Sequence, residues 1–176
     1  MNFRKHSLLL TAIEEFHSHG EMPTGIHIHK AMSFAQSMDL LEVPFAFILY
    51  KHGPYSVDIE FELDQMRSYS AVVAGKNPFL SQVLRVGSNG DLVRKKAPLQ
   101  FCEVSGISRV CAFLSKRSLI QVDLFATAAW ISYHERISNP EQLASRLHSL
   151  KPFISKQDAI AGGLAVSQFD QMRLAG

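Results

Sequence analysis

Four histidines near the N-terminus are the residues whose types and spacing best suit metal chemistry. His17 and His19 form one pair, and His27 and His29 form a second, on either side of a short turn. Imidazoles brought together by a helical hairpin can bind zinc or another transition metal. Residues i and i+2 of a helix point about 200° apart, however, so each pair offers at most one ligand. We therefore expect no bound metal and no other cofactor, and a site built on the four histidines is the alternative.

Motifs for covalent, phosphate or zinc-protease chemistry are absent from the sequence. It contains no GxSxG nucleophile elbow, no GxxxxGK(S/T) loop, no GxGxxG turn and no HExxH pair. Each of these patterns positions a nucleophile, a phosphate group or a metal ion. We therefore predict a non-enzymatic protein, and a metal-dependent enzyme that uses the paired histidines is the least favoured alternative.

The distribution of charge along the chain is more informative than the net charge of +2. Residues 1–70 hold 5 Lys/Arg and 9 Asp/Glu, residues 71–118 hold 8 and 2, and residues 119–176 hold 5 and 5. A basic segment can bind an anionic partner, or it can pair with acidic segments of the same fold. Both interpretations stay open at this point.

The elements that position these residues are mainly helical. A chain of 176 residues with 47% hydrophobic and 19% charged residues fits one compact domain and excludes disorder as its main state. Apolar residues recur at helical spacing from about Arg4, Gly20 ends that helix, and a second helix follows the break at residues 23–25. Residues 43–50 predict a short buried strand or an extended connector, and Ser56 is placed to cap a third helix.

A β-hairpin is predicted after the third helix. Val83–Val86 and residues 92–94 are its strands, and the intervening Gly-Ser-Asn-Gly-Asp segment is its turn. Further helices follow, and Asn139 and Ser155 carry start signals for the last two.

The predicted fold class is therefore mainly α (α+β). Residues 1–100 form a winged helix-turn-helix-like half with the small hairpin, and residues 101–176 form a helical region packed on it as part of a single compact unit.

Two stretches in the N-terminal half resemble a known family. Residues 27–34 and residues 45–56, which end in Gly-Pro-Tyr-Ser, are similar to the YwgA-like proteins and to the related Panacea (SocA-like, DUF4065) antitoxin domain. Residues 124–130 and residues 150–155 are similar to the YwgA-like pattern as well. His29 departs from that pattern, because the family has a Gln in a Leu-Gln-Lys motif there. The resemblance implies a prokaryotic or phage origin, a mainly helical winged-helix-like fold and, for Panacea domains, the binding and neutralisation of a toxin.

The predicted third helix is acidic and suits a protein partner with a basic surface better than DNA. Phe61 points away from the inner face of this helix; we expect the C-terminal helices to cover it, and the alternative is that a partner does. We predict a regulatory protein, for example an antitoxin-like one, that binds a protein partner near residues 53–56 and through the third helix. The candidate partner-binding residues are Tyr50, Lys51, His52, Tyr55, Asp58, Phe61 and Glu62.

The alternative function is that of a DNA-binding transcriptional regulator that contacts DNA through its basic wing. Basic side chains flank the predicted hairpin and an asparagine lies at its tip, where they could contact phosphates. Ordinary solvent-exposed charges on a sheet edge would give the same pattern. The candidate nucleic-acid-binding residues are Arg85, Asn89, Arg94, Lys95 and Lys96.

The sequence also predicts a cytoplasmic location. No apolar run reaches the roughly 18 to 20 residues that a membrane span needs, and the N-terminus lacks the apolar core of a signal peptide. The two cysteines, Cys102 and Cys111, form neither a disulfide framework nor a metal-binding CxxC motif.

Overall fold

The computed structural model describes residues 2–75 and 82–174. Within them, helices predominate over strands, so the prediction of a mainly α fold is confirmed. The helices are α1 (Phe3–Ser18), α2 (Gly25–Ser37), α3 (Val57–Ser68), α4 (Gly90–Lys96), α5 (Phe101–Leu114), α6 (Leu119–Glu135), α7 (Pro140–Leu150) and α8 (Lys156–Leu174). The strands are β1 (Ile48–Tyr50), β2 (Gly53–Tyr55), β3 (Val72–Gly75) and β4 (Val83–Val86).

Local signals set the ends of the first helices. Asn2 caps α1 by accepting a hydrogen bond from the Lys5 N–H at 3.2 Å. Gly20 follows the end of α1 with φ of +78°, which is the left-handed conformation expected of a glycine at this position. The chain then turns and enters α2 after Thr24. The two helices around a turn that were predicted at the N-terminus are therefore present.

One hydrophobic core joins the two halves of the chain. Helix α2 packs against α5 and α6, while α1 packs against α5, so elements from both halves share their buried faces. Phe34 shows this directly, because its ring lies 5.6 Å from that of Phe113 and 5.0 Å from that of Phe169. Helices α7 and α8 pack closely where Gly163 faces the backbone of Pro140 and Ala144. This core fixes the positions of α2 and α6, which carry the floor of the site described below.

Helix α3 begins after Ser56, as predicted, although the Ser56 hydroxyl forms no capping hydrogen bond, and it buries Ile59, Leu63 and Met66. The residues before it divide into two parts. Val43 and Phe45 are buried in an extended connector, whereas β1 is largely exposed. The prediction of a buried strand over residues 43–50 is therefore wrong, and the alternative of an extended connector describes its first part.

The hairpin predicted between Val83–Val86 and residues 92–94 is wrong: Val83–Val86 is strand β4, but its partner strand lies elsewhere. Strand β4 pairs in antiparallel register with β3, so that Val72 faces Val86 and Gly75 faces Val83. Residues 92–94, predicted as a strand, lie instead in α4. That helix has an acidic residue in its first turn and three basic residues in its last turn, an arrangement that favours a helix through its dipole. Here the charge pattern that favours a helix prevails over the strand that the preceding turn-forming residues predicted.

No helix in the described parts of the chain is both long enough and apolar enough to span a membrane.

Candidate functional site

A cleft of about 590 Å³ lies beside the β1–β2 hairpin. Its walls come from the start of α2, the hairpin, the start of α6 and the segment that joins α7 to α8. Five large apolar side chains on these walls are exposed to solvent: Ile26 by 47%, Tyr50 by 59%, Leu119 by 37%, Ile120 by 64% and Phe153 by 75%. The cleft thus has an apolar and accessible rim.

The floor of the cleft contains a buried lysine from α2. The Lys30 ammonium donates hydrogen bonds to the backbone carbonyls of His52 and Pro54, and its Nζ lies 3.1 Å from Asp123 Oδ1. Burial lowers the pKa of Lys30, while the charge of Asp123 acts in the opposite direction. With three oxygen partners around one ammonium, Lys30 ties the hairpin to α6.

A second buried lysine completes the floor. Lys151 Nζ lies 2.6 Å from Asp123 Oδ2 and donates a hydrogen bond to the Lys51 carbonyl at 3.2 Å. Asp123 is therefore shared by two ammonium groups, and the lysines together bind three carbonyls of the β1–β2 hairpin. We call Lys30, Asp123 and Lys151 the charged floor. It holds the hairpin in one position against α2 and α6.

Gly53 makes this close approach possible. It has φ of +78°, and a Cβ atom placed on it would lie 2.2 Å from Asp123 Oδ1 and 2.5 Å from Thr127 Oγ1. Such distances are far below van der Waals contact, so any side chain at this position would displace the charged floor or the hairpin. The Gly-Pro-Tyr-Ser segment therefore begins with a residue that the packing requires.

His29 lies at the side of the cleft and links α2 to α3. Its Nδ1 accepts a hydrogen bond from the Ser56 N–H at 3.2 Å. Nε2 therefore bears the ring hydrogen and donates a hydrogen bond to Glu60 Oε1 at 2.9 Å. This hydrogen bond lowers the pKa of Glu60. The imidazole also stacks on Tyr55 with ring centroids 4.7 Å apart.

These contacts limit the chemistry of the two groups that look most reactive. His29 has both ring nitrogens engaged and offers no lone pair to act as a base. The Lys30 Nζ is enclosed by three oxygen partners, the His52 and Pro54 carbonyls and Asp123 Oδ1. These contacts hold the β1–β2 hairpin and the start of α3 against α2.

The histidines considered for metal binding point toward separate partners. His17 Nε2 lies 2.8 Å from the Leu84 carbonyl oxygen, and His19 Nε2 lies 4.0 Å from Glu15 Oε2. His27 accepts a hydrogen bond from the Thr24 N–H at the start of α2. The described residues contain no group of three or more potential ligands that could hold a metal ion.

The candidate partner-binding residues divide between surface and core. Tyr50, Lys51 and His52 are exposed on the hairpin, while Tyr55 and Asp58 are half-buried, and Tyr50, His52 and Tyr55 line the cleft. They are joined there by residues that sequence reasoning did not propose as binding residues: Ile26, Lys30, Ile120, Asp123, Lys151 and Phe153.

Two expectations about α3 were wrong. Phe61 is 60% exposed, so the described parts of the C-terminal helices do not cover it. Glu62 is only 6% exposed, since it lies 2.6 Å from His6 Nε2 and 3.7 Å from Lys5 Nζ inside the fold. It follows Ile59 by three residues and shares its buried face, so the helical period places it inward. Glu62 is therefore a structural residue, and Phe61 is available to a partner.

The candidate nucleic-acid-binding residues do not form a basic wing. Arg85 is exposed on β4, but Asn89 donates a hydrogen bond to the Tyr69 carbonyl at 2.7 Å. Arg94 forms ion pairs with Glu14 and with Asp91. The other two basic residues, Lys95 and Lys96, lie with Arg94 on helix α4 instead of on a strand.

No protein-family model matches this chain, and no curated protein matches it with significant similarity. The resemblance to the YwgA-like proteins therefore stays a prediction.

Buried histidines outside the cleft predict a loss of stability in mild acid. Burial lowers the pKa values of His6 and His27, in each case against an opposing glutamate. The unfolded chain, with histidine pKa values near 6.5, then binds more protons than the folded chain. We expect the free energy of unfolding to be independent of these histidines above about pH 7 and to decrease as the pH falls below about 6.5. Urea denaturation at pH 7.5, 6.5 and 5.5 measures this change.

The matched variants for this prediction are His6→Gln and His134→Gln. His6 is fully buried, whereas His134 is exposed. Removal of the His6 titration should flatten the pH dependence, and His134→Gln should leave it as in the wild type. A profile that is equally steep in His6→Gln would show that His6 is not responsible for the acid sensitivity.

Proposed function

We propose that this chain is a non-enzymatic regulatory protein of prokaryotic or phage origin, for example an antitoxin-like one, that binds a protein partner through the cleft beside the β1–β2 hairpin. The observation that carries the proposal is the exposure of five large apolar side chains, Ile26, Tyr50, Leu119, Ile120 and Phe153, around one cleft. Exposed apolar clusters of this kind mark binding surfaces, since single exposed apolar residues are common but groups of them are costly in water.

The surface continues from the cleft onto α3. Val57 and Phe61 are exposed and lie four residues apart, which places them on one face of the helix together with Glu60. Glu60 also lines the cleft, so the exposed apolar side chains of α3 lie next to those of the cleft. A surface that extends beyond one cavity favours a macromolecular partner over a small molecule.

The charged floor suits a preorganised binding surface. It anchors three hairpin carbonyls, so Tyr50 is presented on a fixed element and loses little conformational freedom on binding. Aromatic side chains at the centre of an interface often contribute a large share of its binding energy. Tyr50 and Phe153 are the aromatic residues placed to do so here. The resemblance to Panacea domains adds the expectation that the partner is a toxin.

We expect Ile120→Ser with Phe153→Ser to abolish capture of the partner without unfolding the protein. Both side chains are already mostly exposed, so their replacement removes contact area from the interface and little from the core. Partners are cross-linked to the full chain in cells of the organism that encodes it, and the complexes are purified. Quantitative mass spectrometry then compares the recovery of each partner between wild type and the variant. A partner that depends on the cleft should fall at least about tenfold in recovery.

The matched control is Phe101→Ser. Phe101 is 88% exposed at the start of α5 and does not line the cleft. The Phe101→Ser substitution removes a similar apolar surface outside the cleft, so recovery of the partner should be unchanged. Equal recovery with wild type, cleft variant and control would contradict the proposed binding surface.

A further inference from the structure

The accessible part of the cleft carries two carboxylates that lie outside ion-pair distance of every described lysine and arginine, although the charge of Arg67 helps to lower the pKa of one of them, Glu60. Glu60 accepts a hydrogen bond from His29 Nε2, and Asp158 accepts one from the Ser155 hydroxyl at 2.6 Å. Among the residues that the structure describes, neither forms an ion pair with a lysine or an arginine. Both line the cleft and remain partly exposed.

The two cations of the same cleft are enclosed instead. Lys30 and Lys151 are buried, and their ammonium groups face Asp123 and the hairpin carbonyls. Their charge is largely compensated by these partners before any ligand arrives. A ligand that approaches from solvent therefore meets apolar side chains and negative charge.

The other acidic residues of α3 differ from Glu60. Asp58 lies 3.7 Å from Lys5 Nζ, and Asp64 lies 2.6 Å from Arg67 Nη1. Glu62 is buried against His6. Glu60 is thus the α3 carboxylate placed to attract a positive charge from outside.

We propose that the partner presents a basic and apolar segment to this cleft. A lysine or an arginine of that segment lies near Glu60 and Asp158, and a large apolar side chain lies between Tyr50 and Phe153. This inference rests on the proposed function and adds the chemistry of the partner to it. Complementary charge on the rim accelerates association and selects against acidic segments, which the two carboxylates repel.

A random dodecamer phage-display library tests the inference with a defined probe. The full chain is the target, and clones are kept if the Ile120→Ser, Phe153→Ser variant does not bind them. We expect these cleft-dependent clones to be enriched in Lys or Arg together with large apolar residues. Synthetic peptides from the clones should bind more weakly as salt increases from 50 to 300 mM, because salt screens exposed charges.

The decisive variant is Glu60→Gln with Asp158→Asn. The amides keep the size of both side chains and can still accept the hydrogen bonds from His29 and Ser155. We expect it to weaken binding of the peptides by about fivefold to tenfold at low salt. Glu141→Gln is the control, because Glu141 is an exposed carboxylate in the first turn of α7 and lies outside the cleft. Thermal melts of each variant verify that the fold is retained.

The outcomes separate this inference from the proposed function. The inference of a basic partner segment is wrong if the cleft-dependent clones are acidic or uncharged, or if they bind the double amide variant as tightly as wild type. In that case the proposed binding surface is still supported. A library that gives no cleft-dependent clones, together with unchanged capture by the cleft variant, overturns both.

Discussion

Asp123→Asn is expected to lower the free energy of unfolding by about 3–5 kcal/mol, because it leaves two buried lysines without their carboxylate. Lys30 and Lys151 both contact Asp123, at 3.1 and 2.6 Å, and both are buried. Asparagine has nearly the same volume, so the loss comes from charge and not from a cavity. Urea denaturation at pH 7.5 measures the change, with the slope of the transition compared between variants.

A surface pair provides the matched control. Asp64 lies 2.6 Å from Arg67 on α3, but its side chain is 72% exposed. Ion pairs in such positions contribute little, so Asp64→Asn should change stability by no more than about 0.5 kcal/mol. A loss below about 1 kcal/mol for Asp123→Asn would mean that the hairpin carbonyls alone compensate the two ammonium groups.

A second substitution separates charge from packing. Lys151→Met in the Asp123→Asn background removes one of the two uncompensated charges and keeps an unbranched apolar chain. We expect it to recover part of the lost stability, since replacing buried ionic groups with apolar ones of similar size is often neutral or stabilising. The double variant therefore reports whether the excess positive charge destabilises the floor.

The elements that could be predicted from the sequence are those fixed by local residues. Gly20 marks the end of α1, and Ser56 marks the start of α3. Asn139 caps α7 by accepting hydrogen bonds from the N–H groups of Glu141 and Gln142, both at 3.0 Å. In each case the signal and the structure lie within a few residues of each other. Backbone capping and helical periodicity are enough to decide them.

The charged floor could not be predicted in the same way. Its three residues come from α2, α6 and the end of α7, and their side chains meet only after the core has formed. Asp123 carries no local signal, because a single aspartate in the first turns of a helix is ordinary. The one available signal was Lys30, a charged residue between Ile28 and Ala31 of the apolar stripe predicted for α2, and it is buried together with them. A lysine in that position has to find an anionic partner, although the sequence does not say which.

The prediction of the strand pairing was wrong for a related reason. The residues after β4 contain turn formers that fit a tight hairpin, and this local pattern pointed to residues 92–94 as the partner strand. The actual partner, β3, precedes β4 in the chain, and Asn89 is held by the Tyr69 carbonyl. Sheet pairing depends on contacts that local preferences do not specify.

Gly53→Ala is the substitution for which we expect the largest combined effect on stability and partner binding. A Cβ atom at this position would lie 2.2 Å from Asp123 Oδ1 and 3.0 Å from Lys30 Nζ. The hairpin or the charged floor must move to accommodate it, which disturbs the contacts that hold Tyr50 in place. We expect a loss of about 3 kcal/mol or more in the free energy of unfolding, together with reduced capture of the partner.

Gly20→Ala is a matched control, because Gly20 has the same φ of +78° and a Cβ atom added to it would meet no other atom within 4 Å. Its substitution incurs only the backbone cost of a left-handed alanine, about 1–2 kcal/mol. The difference between the two variants therefore isolates the close approach of the hairpin to the charged floor. Equal losses in urea denaturation would show that Gly53 is required for its backbone conformation alone. A larger loss for Gly53→Ala, with partner capture retained in Gly20→Ala, would tie the Gly-Pro-Tyr-Ser segment to the shape of the cleft.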